Sequence, residues 1–585
     1  MQSPAKLPPD RAGWPDRLAA AALRPCPLWQ ALAVSLLIGC LHTALFLPLS
    51  VVLGRGPFWV FPVGTVPGSL IDMAQALSGY LALVQTPWAL PLLHVPGLAP
   101  PAGVNVFWLD AVPWVALLGR LVFTVTGAAT NLLGGFLALC WILPGAAMTL
   151  LLRAAGQRGL ATAAAGAVLV DAAPMLLFEW GHIALCAQCL LIFALALYRT
   201  TLRRAAGARP PAAWLLLLSL ALLTHVYLFA MVGGIWLAAL AQQRLSAGPS
   251  RTAAAQPMAA LLLILALMGV TGMLSGDLAA GGTRDFGVFS MNLGSPLVPQ
   301  LSGAIPPLHD YWIGGRSQVF GWTGLGAWLV VLAGLPGLLR GWRGRLRRHA
   351  VLAVVLAGYG LFALSNRITL GSHVLLTVPL PAQLAWVLGT FRASGRFFWP
   401  IGYAAIAMGV LGVLRAWRPP LALAILAGVA VVQTIDAAPV RARIAATTSQ
   451  AYPAVVDRAA ATAAIEASQA VMVFPTAGCF NQGGNPAHPD YARLQAAVEL
   501  ELIAVRANRP VNSVVRPRLT TDCAAERAEQ GRPLRPDTAY FYLAPFTPAP
   551  FTPAPLTSAS PVACQAAAGF TLCRRAGMDV EEQHR

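Results

Sequence analysis

A few polar residues stand at the edges of apolar stretches, where a charge is expensive and so usually pairs, binds something or reacts. Asp72 lies in GSLIDMAQALSGY, after Gly68 and Ser69 and at the start of a short amphipathic stretch. A carboxylate there can take a proton from a hydroxyl, or it can balance a helix N-terminus. Asp110, in NVFWLDAVPW, is a second such carboxylate, and helix capping explains it about as well as chemistry does. Glu179 and His182 share the turn FEWGHIALCAQC, and His225 and Tyr227 share THVYLFAM. Two turns of this kind can line one polar pocket, in contact with a substrate or in structural hydrogen bonds. No HxxxH pattern or carboxylate ladder accompanies them to argue for a metal.

The arginines form a second set. Arg316 in YWIGGRSQVFGW, Arg367 in ALSNRITLG, and Arg392 and Arg396 in TFRASGRFFWP lie outside the basic turns described below. Guanidinium groups bind phosphate through charge-assisted forks, so lipid phosphate is the natural partner, either as ordinary headgroup or on a lipid-linked substrate. Arg392 and Arg396 are four apart and would share a helix face. Cys186 and Cys189 form a CxxC-like pair, but on an apolar helix they read as packing rather than redox chemistry.

The elements that must position these residues are membrane helices. The chain has 585 residues, 57% of them hydrophobic and 11% charged, with a mean hydropathy of +0.65. That many long apolar runs do not fit a soluble core. The net charge of +18 does not point to nucleic acid, because the arginines gather in short turns, Arg153–Arg158, Arg199–Arg209, Arg244–Arg251, Arg340–Arg348 and Arg415–Arg418, as the positive-inside bias requires. With residues 1–30 inside, residues 31–53 cross outward. Further spans follow near 131–152, 160–178, 183–198, 212–224, 228–243, 256–275, 322–338, 349–364, 400–415 and 419–435. Residues 111–127 and 374–390 are candidate extra dips or spans, for about 11–13 transmembrane helices in all. The outer loops are then 54–127, which reads as interfacial or re-entrant helices, 276–321 and 365–399.

Residues 436–585 change character and lie on the outer side. Residues 469–479 read as a strand leading into a loop, 491–505 as a helix and 509–515 as another strand, which makes a small α/β domain. The run FTPAPFTPAPLTSASP reads as an extended surface loop. Cys479, Cys523, Cys564 and Cys573 fit an oxidising compartment and two disulfides, with three pairings open.

LSNRITLG and LGTFRASGRFFWP, together with EWGHIALCAQCLLI, THVYLFAM and FSMNLGSPLVPQ, resemble a family of bacterial polytopic proteins related to GT-C-type, polyprenol-phosphate-dependent glycosyltransferases. The resemblance covers most of 30–435. It implies a GT-C-like core in the bacterial inner membrane, a cytoplasmic N-terminus and a periplasmic C-terminal domain, with the active site between core and periplasmic elements. Asp72 would be the catalytic base, with Asp110 as a second catalytic carboxylate. Glu179, His182, His225, Tyr227, Asn292, Arg316, Arg367, Arg392 and Arg396 would contact substrate. The partners would be a polyprenyl-phosphate-linked sugar donor, membrane phospholipids, and a glycan, lipid or protein acceptor, and the sugar would transfer with inversion. The isolated Asp72, where such enzymes often carry an adjacent acidic pair, gives weak grounds for a divalent cation. A lipid or glycan transporter and a non-catalytic envelope-assembly protein are the other classes compatible with this architecture.

Overall fold

The computed structural model describes residues 14–63, 71–204, 212–247, 252–274, 286–306, 321–479, 491–515, 523–530, 532–543 and 562–575. Over these the chain is mostly helical, with a small sheet near the C-terminus. Helix α1 (Leu28–Ala44) bends by 112° into the segment Leu49–Val60. Then come α2 (Asp72–Gln85), α3 (Pro113–Thr126), α4 (Leu133–Ala154), α5 (Leu160–Asp171), α6 (Cys189–Thr201), α7 (Ala213–Leu222) and α8 (Val226–Ala247). They are followed by α9 (Thr252–Thr271), α10 (Leu325–Leu339), α11 (Ala350–Leu364), α12 (Trp399–Ala416) and α13 (Pro419–Asp436).

Among the described residues, five helices are long and apolar enough to cross a membrane, and bent pairs raise that to eight. Residues 113–126, 213–222, 255–271 and 350–364 form shorter apolar helices. Prolines set several of the boundaries: Pro174 follows the end of α5, and Pro419 opens α13. Helices α10 and α12 approach closely through Gly334 and Gly409, where a Cβ on Gly334 would lie 2.6 Å from the Gly409 carbonyl oxygen.

Helix α2 is buried from Met73 through Val84, packed against the C-terminal domain. Residues 367–377 form an antiparallel hairpin, β1 (Arg367–Leu370) with β2 (His373–Thr377), and a short helix, Ala382–Gly389, follows. Residues 509–515 make no regular strand. Val511 bridges singly to Leu98 and to Val471, and the Asn512 side chain takes the place of further pairing, accepting from the Val473 amide at 2.7 Å and donating to its carbonyl at 3.2 Å.

The C-terminal sheet contains β3 (Ala470–Phe474), β4 (Thr538–Leu543), β5 (Val562–Ala567) and β6 (Phe570–Arg575), in the order β3-β4-β6-β5. Strands β3 and β4 are parallel and the other pairs antiparallel. The disulfides are Cys479–Cys523 and Cys564–Cys573, the latter joining directly opposed residues of β5 and β6. The Pro/Thr-rich run lies outside the described residues.

Helix α14 (Tyr491–Arg506) ties this domain to the helical part. Ser78 Oγ donates to Glu501 Oε1 at 2.6 Å, Gln85 Nε2 donates to the Val505 carbonyl at 2.9 Å, and Arg506 Nη1 donates to the Val60 carbonyl at 2.7 Å. Residue numbers on α2 and α14 rise together along this contact.

Candidate functional site

Five short pieces of backbone bring the polar residues together, and each is placed by an interruption of helix. Asp72 is the first residue of α2. Asp110 closes the 3-10 turn Val106–Leu109 in the left-handed region at φ 55°, and Val112 follows at φ 50°. Asparagine and aspartate tolerate that region, whereas a β-branched residue there is strained. Glu179 and His182 come from the 3-10 turns that fill the break between α5 and α6. His225 stands at the junction of α7 and α8, and Arg396 in the 3-10 turn Ser394–Phe398 that leads into α12.

The result is one continuous chain of contacts. His182 Nε2 lies 3.0 Å from Asp72 Oδ2, and its Nδ1 lies 3.4 Å from Glu179 Oε2. The same Glu179 oxygen is 3.4 Å from Arg396 Nη2, and the Arg396 guanidinium sits 5.6 Å from the centre of the Tyr227 ring, within cation–π range. Tyr227 packs 5.2 Å from the His225 ring, and His225 Nε2 is 3.2 Å from Asp110 Oδ1. The Tyr227 hydroxyl accepts from the Ala393 amide at 2.9 Å, one residue from Arg392.

Glu179 is 1% exposed at its side chain, so its charge depends on Arg396 and His182. Neither carboxylate oxygen of Glu179 nor the Nε of Arg396 makes a hydrogen bond among the described residues, the 3.4 Å contacts of Oε2 being ion-pair distances only. Buried polar atoms left open in this way mark where a ligand group or a water belongs. Asp110 does not cap α3, whose N-cap is Val112. Its carboxylate turns to His225 instead.

Other expected contacts separate from this chain. Asn292 is a fastener for the hairpin, with Nδ2 donating to the Gly371 carbonyl at 2.8 Å and Oδ1 accepting from the Gly371 and Gly294 amides. Arg367 is exposed at the start of strand β1. Arg392 is half-buried, with its guanidinium 5.5 Å from the Phe289 ring centre. Arg316 lies outside the described residues. Cys186 and Cys189 are buried free thiols. Among the described residues, metal-ligand spacing recurs at Cys479, Cys523 and Glu526, but there the two sulfurs are bonded to each other. The residues absent from the sequence reading are Ser78, Glu501 and Tyr491, whose placement depends on the docking of α14.

An apolar groove of about 440 Å³ runs along α4, α6 and α7. Its wall includes Phe136, Leu143, Leu150, Phe193 and Leu216, and Trp114 and Thr224 close one end. Phe136 to Leu150 covers roughly 21 Å of helix at 1.5 Å per residue. At the closed end Trp114 Nε1 donates to Thr224 Oγ1 at 3.1 Å, directly before His225 in the chain. Neither Asp110 nor His225 lines the groove itself.

Comparison with curated proteins finds no match. A family match takes in every described residue of the contact chain and ends before the sheet domain. Residues 36–438 match the model described as a domain of unknown function (DUF6311), and the chain belongs to that family.

Proposed function

We propose that the protein is a membrane glycosyltransferase of GT-C type that moves a sugar from a polyprenyl-phosphate donor to an acceptor hydroxyl. The observation that supports this reading is the set of charged contacts, Asp72–His182–Glu179–Arg396 and Asp110–His225, in a chain that also carries an apolar groove reaching Thr224, the residue before His225. An apolar slot with a few convergent polar groups at one end suits a long lipid with a polar head.

In this reading the isoprenoid chain lies in the groove, and the sugar hydroxyls meet the Asp110 carboxylate. Arg392, beside the Ala393 amide that fixes Tyr227, is the cation for the donor phosphate. Arg396 is already held by Glu179 and Tyr227 and serves to fix Glu179. The acceptor enters from the C-terminal domain side. Its hydroxyl oxygen bonds to the anomeric carbon while the carbon–oxygen bond to phosphate breaks. The bonding pair leaves with the phosphate, and the hydroxyl proton goes to Asp72, which His182 orients. Attack opposite the leaving phosphate inverts the sugar. No divalent cation enters these steps.

The test is transfer of labelled sugar from polyprenyl-phosphate donors by purified protein in lipid, with Asp72→Asn and Arg392→Ala compared at equal folding. Transfer that collapses in both variants supports the assignment. Donor binding without turnover across a broad acceptor panel sinks it.

A further inference from the structure

The C-terminal domain places a tyrosine at the start of α14, and the helix register puts it at the Asp72 end of the site. The contacts Ser78–Glu501 and Gln85–Val505 fix how α14 lies on α2. At 1.5 Å per residue, Asp72 lies roughly 9 Å before Ser78 and Tyr491 roughly 15 Å before Glu501. Both first residues therefore emerge at the same end of the pair. The Tyr491 hydroxyl is buried and makes no hydrogen bond among the described residues. Burial, the Asp72 carboxylate and Tyr452 all hold the Tyr491 phenol above its ordinary value, which places that carboxylate within electrostatic reach. One turn along α14, Gln495 Nε2 donates to the Tyr452 hydroxyl at 3.0 Å, so the second tyrosine is already engaged.

We propose that Tyr491 belongs to the Asp72 site, where its open hydroxyl donates a hydrogen bond to the acceptor and makes the C-terminal domain part of the binding site. A buried hydroxyl without a partner costs free energy, and a bound acceptor oxygen removes that cost. The acceptor role rests on the glycosyl-transfer reading. The placement beside Asp72 does not.

The experiment uses the full chain in lipid. Difluorotyrosine, which ionises near neutrality, is inserted at position 491 and titrated by fluorine NMR, with and without Asp72→Asn. Removing a neighbouring negative charge lowers the titration by roughly one pH unit or more; an unmoved titration overturns the placement. In parallel, Tyr491→Phe keeps the ring, and its melting temperature is checked against the native chain. It is expected to lose transfer 10- to 100-fold through the acceptor while donor KM stays within twofold. Undiminished transfer in a folded Tyr491→Phe chain overturns the acceptor role. If the native chain transfers no sugar, the glycosyl-transfer reading and the acceptor role fall together, and the fluorine titration still decides whether Tyr491 and Asp72 share a site.

Discussion

The protein holds two carboxylate–imidazole pairs, and the group on the far side of each ring makes them different. His182 faces Asp72 through Nε2 and Glu179 through Nδ1, so a carboxylate lies on each side of the ring. His225 faces Asp110 through Nε2, but its Nδ1 accepts the Tyr227 amide at 3.1 Å, so that ring has one proton to give. The pairs also belong to different surroundings: Asp72 opens the helix on which the C-terminal domain rests, while Asp110 lies in a left-handed turn. The same two residue types thus stand in two different settings, and under the proposed function Asp72 serves the acceptor and Asp110 the donor.

The largest break should come from the carboxylates themselves. Asp72→Asn is expected to lower kcat by about 10²–10⁴-fold, the usual contribution of a general base. Asp110→Asn should act about tenfold and mainly on donor KM, because it keeps the turn and a hydrogen bond to His225. Steady-state kinetics on both variants checks this, and equal losses in kcat would erase the distinction between the sides.

Glu179→Gln should next uncouple the charges around His182. Removing one member of a buried pair strands the other, at a cost of about 3–5 kcal/mol. Thermal melting should show the loss, whereas the matched change His225→Asn is expected to cost about 1 kcal/mol, the scale of one neutral hydrogen bond. Leu216→Trp in the groove wall sharpens the donor side alone. Donor KM should rise about tenfold by loss of apolar fit, with acceptor KM unchanged; a rise in both would show that the groove does not serve the donor selectively.

The smallest effect concerns pH. Burial raises Glu501 to about 8, well above an ordinary glutamate of about 4.3. Between those values the folded chain holds a proton that the unfolded chain has lost, so stability falls as pH rises through this window and levels off above it. Glu501→Gln should flatten that slope in melting curves, and hydrogen exchange in α2 should lose its pH dependence near Ser78. An unchanged slope would show that Glu501 does not govern how the domain rests on the Asp72 side.

Much of this was legible in the residues. Apolar runs gave the helices 133–154, 226–247, 399–416 and 419–436, because hydrocarbon demands long apolar stretches with internal backbone bonding. Isolated polar residues in such a chain drew attention to Asp72, Asp110, Glu179, His182, His225, Tyr227 and Arg396, and these come into one chain of contacts. Other readings failed for local reasons. VNSVV looked like a strand, but Asn512 spends its side chain on Val473. Arg367 sits exposed on the hairpin and Asn292 fastens that hairpin from another segment, so both stand apart from the contact chain.

The sequence by itself determined that the protein is helical and apolar, with a cysteine-bearing domain after the helices, because composition and period act through local burial. Only the tertiary structure decided which nitrogen of each histidine meets which carboxylate, that Cys479 joins Cys523, and that α14 carries Tyr491 and Glu501 onto α2. Those contacts join residues far apart in the chain, and no local spacing records them: they exist once helices pack and their interrupted ends meet.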